Sequence, residues 1–338
     1  MTMRRGSLLV ALAVVVAACT PPSTAPAPPD KVTFMAGFKA QANLPFVAVY
    51  VAQERGYFRE QGLEVNIQHS AGQGEHIRLL ATGRVQFTTA SAGDALKRVA
   101  NAEIPLVAIA QIGQRGEQAF AVRADSPIRT PRDWEGRLVG YKSTVSADYL
   151  AILRAAGVDR SKVREVPVGF DPRVLIAGRV DVYPVFVSNE PYTLARLGFP
   201  VRLFLPTDYG VPSLGLAFVT DRPTVEGRPD VVRRFLRATL RGLADAVEDR
   251  EAAIDMTMRY AVGEDRQHQR AMLDAEIDGA ITELTRREGL GAMTRQQWED
   301  LQKLLVDLGA QPKAVDIGQI VDEHFVREAY RNGRLVWP

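Results

Sequence analysis

Apolar and polar positions follow two alternating periods along the chain. Val32, Phe34 and Ala36 alternate with polar or small neighbours, the pattern of a half-buried strand, and lead into a loop at Gly37 to Asn43. Pro45 suits the first turn of a helix running to about Glu54, with Gly56 as its stop. Leu63, Val65 and Ile67 alternate again, Gly72-Gln73-Gly74 turns the chain, a helix is predicted over about Glu75 to Thr82, and Val85 to Thr89 is another strand. Strands alternating with helices of this length predict α/β architecture, a mostly parallel sheet with helices on both faces.

A weak internal repeat doubles this unit. Leu80-Ala81-Thr82-Gly83-Arg84-Val85 is echoed by Leu175-Ile176-Ala177-Gly178-Arg179-Val180, each reading as a helix end, a glycine C-cap and a following strand. A second echo links Ala119–Arg123, which runs into Asp125-Ser126-Pro127, with Leu216–Thr220, which runs into Asp221-Arg222-Pro223. Two apolar strands with the same punctuation read as two crossings between lobes. Lobe 1 is then discontinuous, residues 31–121 plus 220–338, and lobe 2 is residues 122–219. After Pro229 the chain is helical: 231–247 is amphipathic, and Thr294 with Gln297 ahead of Trp298 and Leu301 has the spacing of a capping box.

The N-terminus differs from the rest. Arg4 and Arg5 precede an uninterrupted apolar run from Leu8 to Val16, closed by Ala17 and Ala18, so residues 1–18 read as a secretory signal too short to span a bilayer. Val16-Ala17-Ala18-Cys19 resembles the bacterial lipobox. That resemblance implies lipidation of Cys19 and anchoring on the outer face of the cell membrane; ordinary cleavage and release is the alternative. Residues 19–30 read as a tether, with five prolines between Thr20 and Pro29 and no bulky apolar side chain.

Composition removes several function classes. At 338 residues the chain exceeds the roughly 250–300 at which single cores stop growing. With 46% hydrophobic and 24% charged residues it is neither disordered nor a multi-span membrane protein. The formal charge of +2 resides in Arg4 and Arg5, and a neutral mature chain argues against nucleic acid as a partner. Cys19 is the single cysteine, so no disulfide framework or thiolate metal site can form within the chain. The four histidines, His69, His76, His268 and His324, lack metalloprotease spacing. Gly72-Gln73-Gly74 is not followed by the third glycine of a dinucleotide fingerprint, and Lys142-Ser143 lacks the glycine of a phosphate loop. No cofactor and no catalytic residue is expected; the chain reads as a binder and not an enzyme.

Glu54-Arg55-Gly56-Tyr57-Phe58-Arg59-Glu60-Gln61-Gly62-Leu63-Glu64-Val65 resembles a segment of the solute-binding proteins of bacterial ABC importers, in the group handling sulfonates, taurine, nitrate and thiamine-pyrimidine precursors. Asp133-Trp134-Glu135-Gly136-Arg137-Leu138-Val139-Gly140-Tyr141 resembles that group's opening of the second lobe. The resemblance covers nearly all of residues 31–338. It implies a type II periplasmic-binding-protein-like clamp of two lobes, each a mostly parallel sheet flanked by helices. Such a clamp would close on a small molecule and deliver it to a permease with its ATPase. An extracytoplasmic sensor without a permease is the alternative of another class.

Ligands of open α/β sheets lie outside the carboxyl ends of the strands. The loops there offer Phe38, Gln41 and Asn43, then Gln73, then Asp94, then Tyr141, Ser143 and Thr144, then Asn189 and Glu190, and at the second crossing Tyr209. His69, Glu75, Ser91, Tyr192 and Asp208 stand close by in sequence. Asp94 and Ser91 equally suit a helix cap, as do Ser143 and Thr144 for a helix over residues 145–156. Glu190 is the leading residue of lobe 2, because it falls in the repeat-equivalent loop and its family counterparts often face the cleft. Replacing it by alanine is therefore expected to weaken ligand binding and leave the melting temperature of the unliganded protein nearly unchanged. Lys39 and Lys142 are the only cations in these loops, so a sulfonate or nitrate is disfavoured. Aromatic rings beside amides and carboxylates suit a flat, neutral heterocycle. Riboflavin, with a large ring and a polyol tail, fits the long first loop and matches the flavin-binding branch that the chain resembles. A formylaminopyrimidine-type thiamine precursor is the alternative.

Overall fold

The computed structural model describes residues 28–337 apart from Gln73, Ala102, Glu103, Ser143 and Thr144. Cys19, the signal of residues 1–18 and nearly all of the tether lie outside the described residues.

The first lobe opens with β1 (Asp30–Ala36), α1 (Leu44–Glu54), α2 (Tyr57–Glu60), β2 (Leu63–His69), α3 (Glu75–Ala81), β3 (Phe87–Ser91), α4 (Ala92–Ala100) and β4 (Leu106–Gln111). The chain then builds the second lobe from β5 (Gln118–Arg123), β6 (Leu138–Lys142), α5 (Ala147–Ala156), β7 (Arg164–Val168), α6 (Arg173–Ile176), β8 (Tyr183–Phe186), α7 (Glu190–Arg196) and β9 (Val201–Phe204). It returns to the first lobe with β10 (Leu216–Asp221), α8 (Arg222–Gly227), α9 (Pro229–Glu248), α10 (Arg250–Thr257), α11 (Arg266–Ala280), α12 (Glu283–Glu288), α13 (Arg295–Asp307) and α14 (His324–Glu328).

Lobe 1 holds a five-stranded sheet in the order β2-β1-β3-β10-β4. β1 runs parallel to β2 and β3, and β10, which enters from the other lobe, runs antiparallel to β3 and β4. In lobe 2, β6 and β7 are parallel, and a parallel bridge from Val139 to Val182 joins them to the set β8-β5-β9, in which β5 is antiparallel to both neighbours. The parallel part of each sheet comes from βαβ units, whereas the strand arriving from the opposite lobe must run the other way.

The helices form for readable reasons. Nine residues of α1, Leu44 to Ala52, are buried, so it is apolar on every side and lies between the sheet and α9. Gly83 and Gly178 both adopt positive φ, 69° and 65°, at the repeat-related helix ends. Thr294 and Gln297 form a reciprocal capping box at α13. The cap of α5 is Ser146, which accepts from the Tyr149 N–H at 3.2 Å, and not Ser143 or Thr144, which lie outside the described residues.

The crossings fall earlier than the second echo predicts. Val122 sits mid-strand in β5, paired with Arg202 of β9 inside lobe 2, and Val219 sits in β10 inside lobe 1. The chain passes between lobes at residues 112–117 and 205–215. Both echoed strands are core strands of single lobes, and their apolar composition reflects that burial. At the crossing the two backbones touch: the Gly215 N–H donates to the Gly113 carbonyl at 2.8 Å, and the Gly113 N–H donates to that of Leu216 at 2.9 Å. The buried Gln111 amide donates to the Gly113 and Gly215 carbonyls at 2.8 and 3.0 Å. A Cβ on Gly113 would stand 2.9 Å from the Gly215 Cα and the Leu216 nitrogen, both backbone atoms that cannot swing aside. Gly113→Ala is expected to destabilise the protein by about 1–3 kcal/mol through this overpacking, read as a lower urea midpoint with unchanged slope.

Candidate functional site

The carboxyl ends of β1 and β3 face those of β7 and β8 across the cleft, as sheets of this kind dictate. Between them lies a cavity of about 620 Å³. Lobe 1 contributes Phe38, Gln41, Asn43, His76, Thr89 and Asp94; lobe 2 contributes Phe170, Phe186, Ser188, Asn189 and Glu190; Glu117 closes it from the first crossing. Three of these are aromatic rings left in solvent, Phe38 at 45% exposure, Phe170 at 65% and Phe186 at 38%. None of the three belongs to a hydrophobic core cluster, so their faces are open to the cleft.

Lobe 2 builds its wall on a buried ion pair. The Lys142 ammonium and the Glu190 carboxylate pair at 7% and 4% side-chain exposure, and the other carboxylate oxygen accepts the Phe186 N–H at 2.8 Å. The ammonium lies 4.7 Å from the Phe186 ring centre and 5.3 Å from those of Phe170 and Tyr183. These distances are within cation–π reach, so one charge orients the aromatic wall.

Lobe 1 supplies polar atoms in want of partners. Thr89 Oγ1, His76 Nδ1 and Glu117 Oε1 are sealed from solvent, and no hydrogen-bond partner for them occurs among the described residues. Burial holds the His76 imidazole below its ordinary pKa, so it offers one donor and one acceptor at neutral pH. Burial, and then the neighbouring Glu276 carboxyl, push Glu117 up to about 8, so it carries a proton at neutral pH. Glu276 is also raised by burial, against bonds donated by Ser188 of lobe 2 and by the Leu44 N–H and Asn43 side chain of lobe 1. Among the described residues no group of His, Cys, Asp and Glu is arranged to hold a metal ion.

Of the residues expected from sequence, Phe38, Gln41, Asn43, Asp94, Asn189 and Glu190 line this cavity. Gln73, Ser143 and Thr144 lie outside the described residues. Tyr141 and Tyr209 do not line the cavity. Strand alternation puts Tyr141 on the same face of β6 as the buried Val139 and turns Lys142 to the other, and Tyr209 packs against the lobe 2 core of Phe120, Trp134 and Tyr149. Ser91 caps α4 through the Asp94 N–H, and Asp94 pairs with Arg98 at 2.8 Å. His69 is bonded to the Tyr50 hydroxyl at 2.7 Å, and Tyr192 stacks on His268 of lobe 1 at 5.0 Å. The role of Glu190 changes as well: both its oxygens are engaged, so it positions Lys142 and Phe186.

Sequence reading missed Glu117, Glu276, His76, Phe170 and Phe186, and it placed Lys142 in the candidate loops only as one of two cations. Phe170 alone left a signal, a large aromatic in the turn Gly169-Phe170-Asp171-Pro172 with no apolar neighbour to pack on. Glu276 sits on an amphipathic helix, where a glutamate ordinarily faces water.

Two outcomes follow from these energetics. Glu190→Ala strands a buried ammonium and is expected to cost about 3–5 kcal/mol, visible as a lower melting temperature without ligand. An acid whose pKa is higher folded than unfolded stabilises fully below its unfolded value and loses that contribution as pH rises through the folded one. The Glu117 contribution therefore declines between pH 4.5 and about 8. The unliganded protein should melt lower at pH 8.5 than at 5.5, and Glu117→Gln should flatten that slope in a calorimetric series.

Among proteins of known role, the riboflavin-binding protein RibY of Chloroflexus aurantiacus is 27% identical over 340 residues, covering 95% of this chain and 96% of its own. The formylaminopyrimidine-binding protein of Halalkalibacterium halodurans is 27% identical over 262 residues, covering 75% and 78%. The aliphatic sulphonate binding protein SsuA of Escherichia coli superposes with a TM-score of 0.66 at 17% identity, over 86% of this chain and 91% of that one, a likeness of fold. The family model described as NMT1/THI5 like matches residues 43–253, from the first cleft loop through all of lobe 2 and into α10. The protein therefore belongs to the NMT1/THI5-like family and has the two-lobed fold of the periplasmic binding proteins.

Proposed function

We propose that the protein is an extracytoplasmic solute-binding lipoprotein of an ABC importer, with riboflavin as its cargo. The observation that carries this reading is the set of three half-exposed rings, Phe38, Phe170 and Phe186, drawn from both lobes around one cavity of about 620 Å³. A flat ring system stacks between them, and the sealed polar atoms of His76, Thr89 and Glu117 meet its edge. The likeness to RibY over nearly the full length of both chains supports the same cargo.

The lining also argues against an anion. It carries Asp94, Glu117 and Glu190, and among the described residues no arginine or lysine belongs to it. Lys142 stands behind the wall, already paired with Glu190. A sulfonate would meet carboxyl groups in place of guanidinium forks. The formylaminopyrimidine-type precursor is the second reading, favoured by the equal identity of that relative, 27%, and by Glu117, whose carboxyl can bond an aminopyrimidine edge.

Binding works by closure. Lobe 1 and lobe 2 meet through Arg196 and Asp265 at 3.1 Å, the Tyr192–His268 stack, and the Ser188 bond to Glu276. A ligand touching both lobes adds to these contacts only in the closed form, shifts the population toward it, and presents the closed surface to a permease. The lipid on Cys19 and the tether after it hold the clamp at the membrane.

Riboflavin added to the purified mature protein is expected to lose fluorescence on binding, and Phe170→Ala to weaken it about 10–100-fold, as loss of one stacking face predicts. Unquenched riboflavin with tight calorimetric binding of formylaminopyrimidine would transfer the assignment to the second reading. Loss of uptake on gene deletion separates an importer component from a sensor.

A further inference from the structure

We infer that the cleft continues past Glu117 into a second compartment that takes the hydroxyl-bearing tail of the cargo and rejects a phosphorylated tail; this rests on the riboflavin reading above. The compartment measures about 640 Å³ and shares Ser91, Asp94, Glu117 and Phe186 with the aromatic cavity, so the two communicate. Together they exceed what a single fused ring fills, and only the first has aromatic walls on both lobes.

Its chemistry is that of a polyol site. Asp148 of α5 reaches in from lobe 2, with Oδ1 accepting from the Ser213 hydroxyl at 3.0 Å, and Ser213 belongs to the second crossing. Glu117 stands at the junction with its sealed, unpartnered Oε1. A protonated carboxyl donates one hydrogen bond and accepts others, an ionised one only accepts, and a hydroxyl does both, so a chain of hydroxyls can satisfy this mixture. Burial raises the pKa of both Glu117 and Asp148, which favours their neutral forms beside an uncharged tail.

A phosphate reverses this balance. It would bring up to two negative charges into a compartment whose carboxyl groups offer it no compensation, with Lys97 the one cation among the compartment's described lining residues. Taking a phosphate dianion out of water with a single cation to answer it weakens binding by two decades or more. Asp94 is already paired with Arg98, so that guanidinium is not free for the ester.

The test titrates the protein with riboflavin, riboflavin 5′-phosphate and tail-less lumiflavin, following flavin fluorescence. Riboflavin is expected to bind tightest, the phosphate about 100-fold more weakly and lumiflavin at least about 10-fold more weakly. Asp148→Asn should narrow the gap between riboflavin and its phosphate. Should that variant fail to fold, Lys97→Gln on the half-buried face of α4 should widen the gap instead. Equal binding of riboflavin and its phosphate, or of riboflavin and lumiflavin, overturns the inference and leaves the riboflavin reading standing. If no flavin binds, the cargo reading fails, and the same comparison between a hydroxymethyl aminopyrimidine and its phosphate ester decides the compartment. Lack of discrimination there overturns it too.

Discussion

Everything in the cleft is referred to one place where two extended backbones touch without side chains between them. The Gly215 N–H donates to the Gly113 carbonyl and the Gly113 N–H to that of Leu216, and the Gln111 amide, itself fully buried, ties the Gly113 and Gly215 carbonyls together. Bonds of this kind survive because each is shielded and each replaces a group that would otherwise be orphaned in the interior. The contact fixes where the lobes begin. Four residues beyond Gly113 comes Glu117, and two before Gly215 comes Ser213, so the crossing itself delivers polar groups to the cleft. The chain passes between the lobes here, and each lobe is closed around its own core.

The two walls of the cleft are organised on opposite electrostatic principles. On lobe 2 a charge is buried and fully answered: Lys142 has Glu190, and Glu190 also takes the Phe186 N–H. Such a pair adds little net stability against an apolar replacement but holds its members in one geometry, because breaking it leaves a charge stranded. The geometry it holds is that of Phe170 and Phe186. On the facing side polar groups are buried without partners among the described residues, and the Glu117 carboxyl keeps its proton because burial and the nearby Glu276 disfavour its ionisation. A protein that leaves a threonine hydroxyl, an imidazole nitrogen and a carboxyl oxygen without partners forgoes stability there, and recognition of a partner is the physical return.

Much of the architecture was legible along the chain. The period-two runs marked β1 and β2, Pro45 and Gly56 marked the bounds of α1, and the glycine pair Gly83 and Gly178 announced the repeat of a unit. The crossings were misplaced because β5 and β10 carry the apolar composition of central strands, whereas the crossing segments are short and polar. The first cleft loop was visible as Phe38, Gln41 and Asn43 because a strand end with amides and an aromatic has one common use. Tyr141 stood out as an aromatic at a strand end, but whether such a side chain reaches the cleft depends on how β6 packs and not on residue type.

By itself the sequence determined the α/β alternation, the doubling of the unit and the identity of the first cleft loop, since these depend on local periodicity and turn chemistry that neighbouring residues carry. Only the tertiary structure decided the acid–base character of the site. Glu117 and Glu276 are separated by 159 positions, and each alone reads as an ordinary solvated glutamate. Burial raises the pKa of both, and for Glu117 the nearby Glu276 adds to it. Likewise Lys142 and Glu190 become a positioning pair only once β6 and α7 are brought together across the lobe 2 sheet. Charge state and partnership are properties of distance and dielectric, and those exist only after the chain has folded.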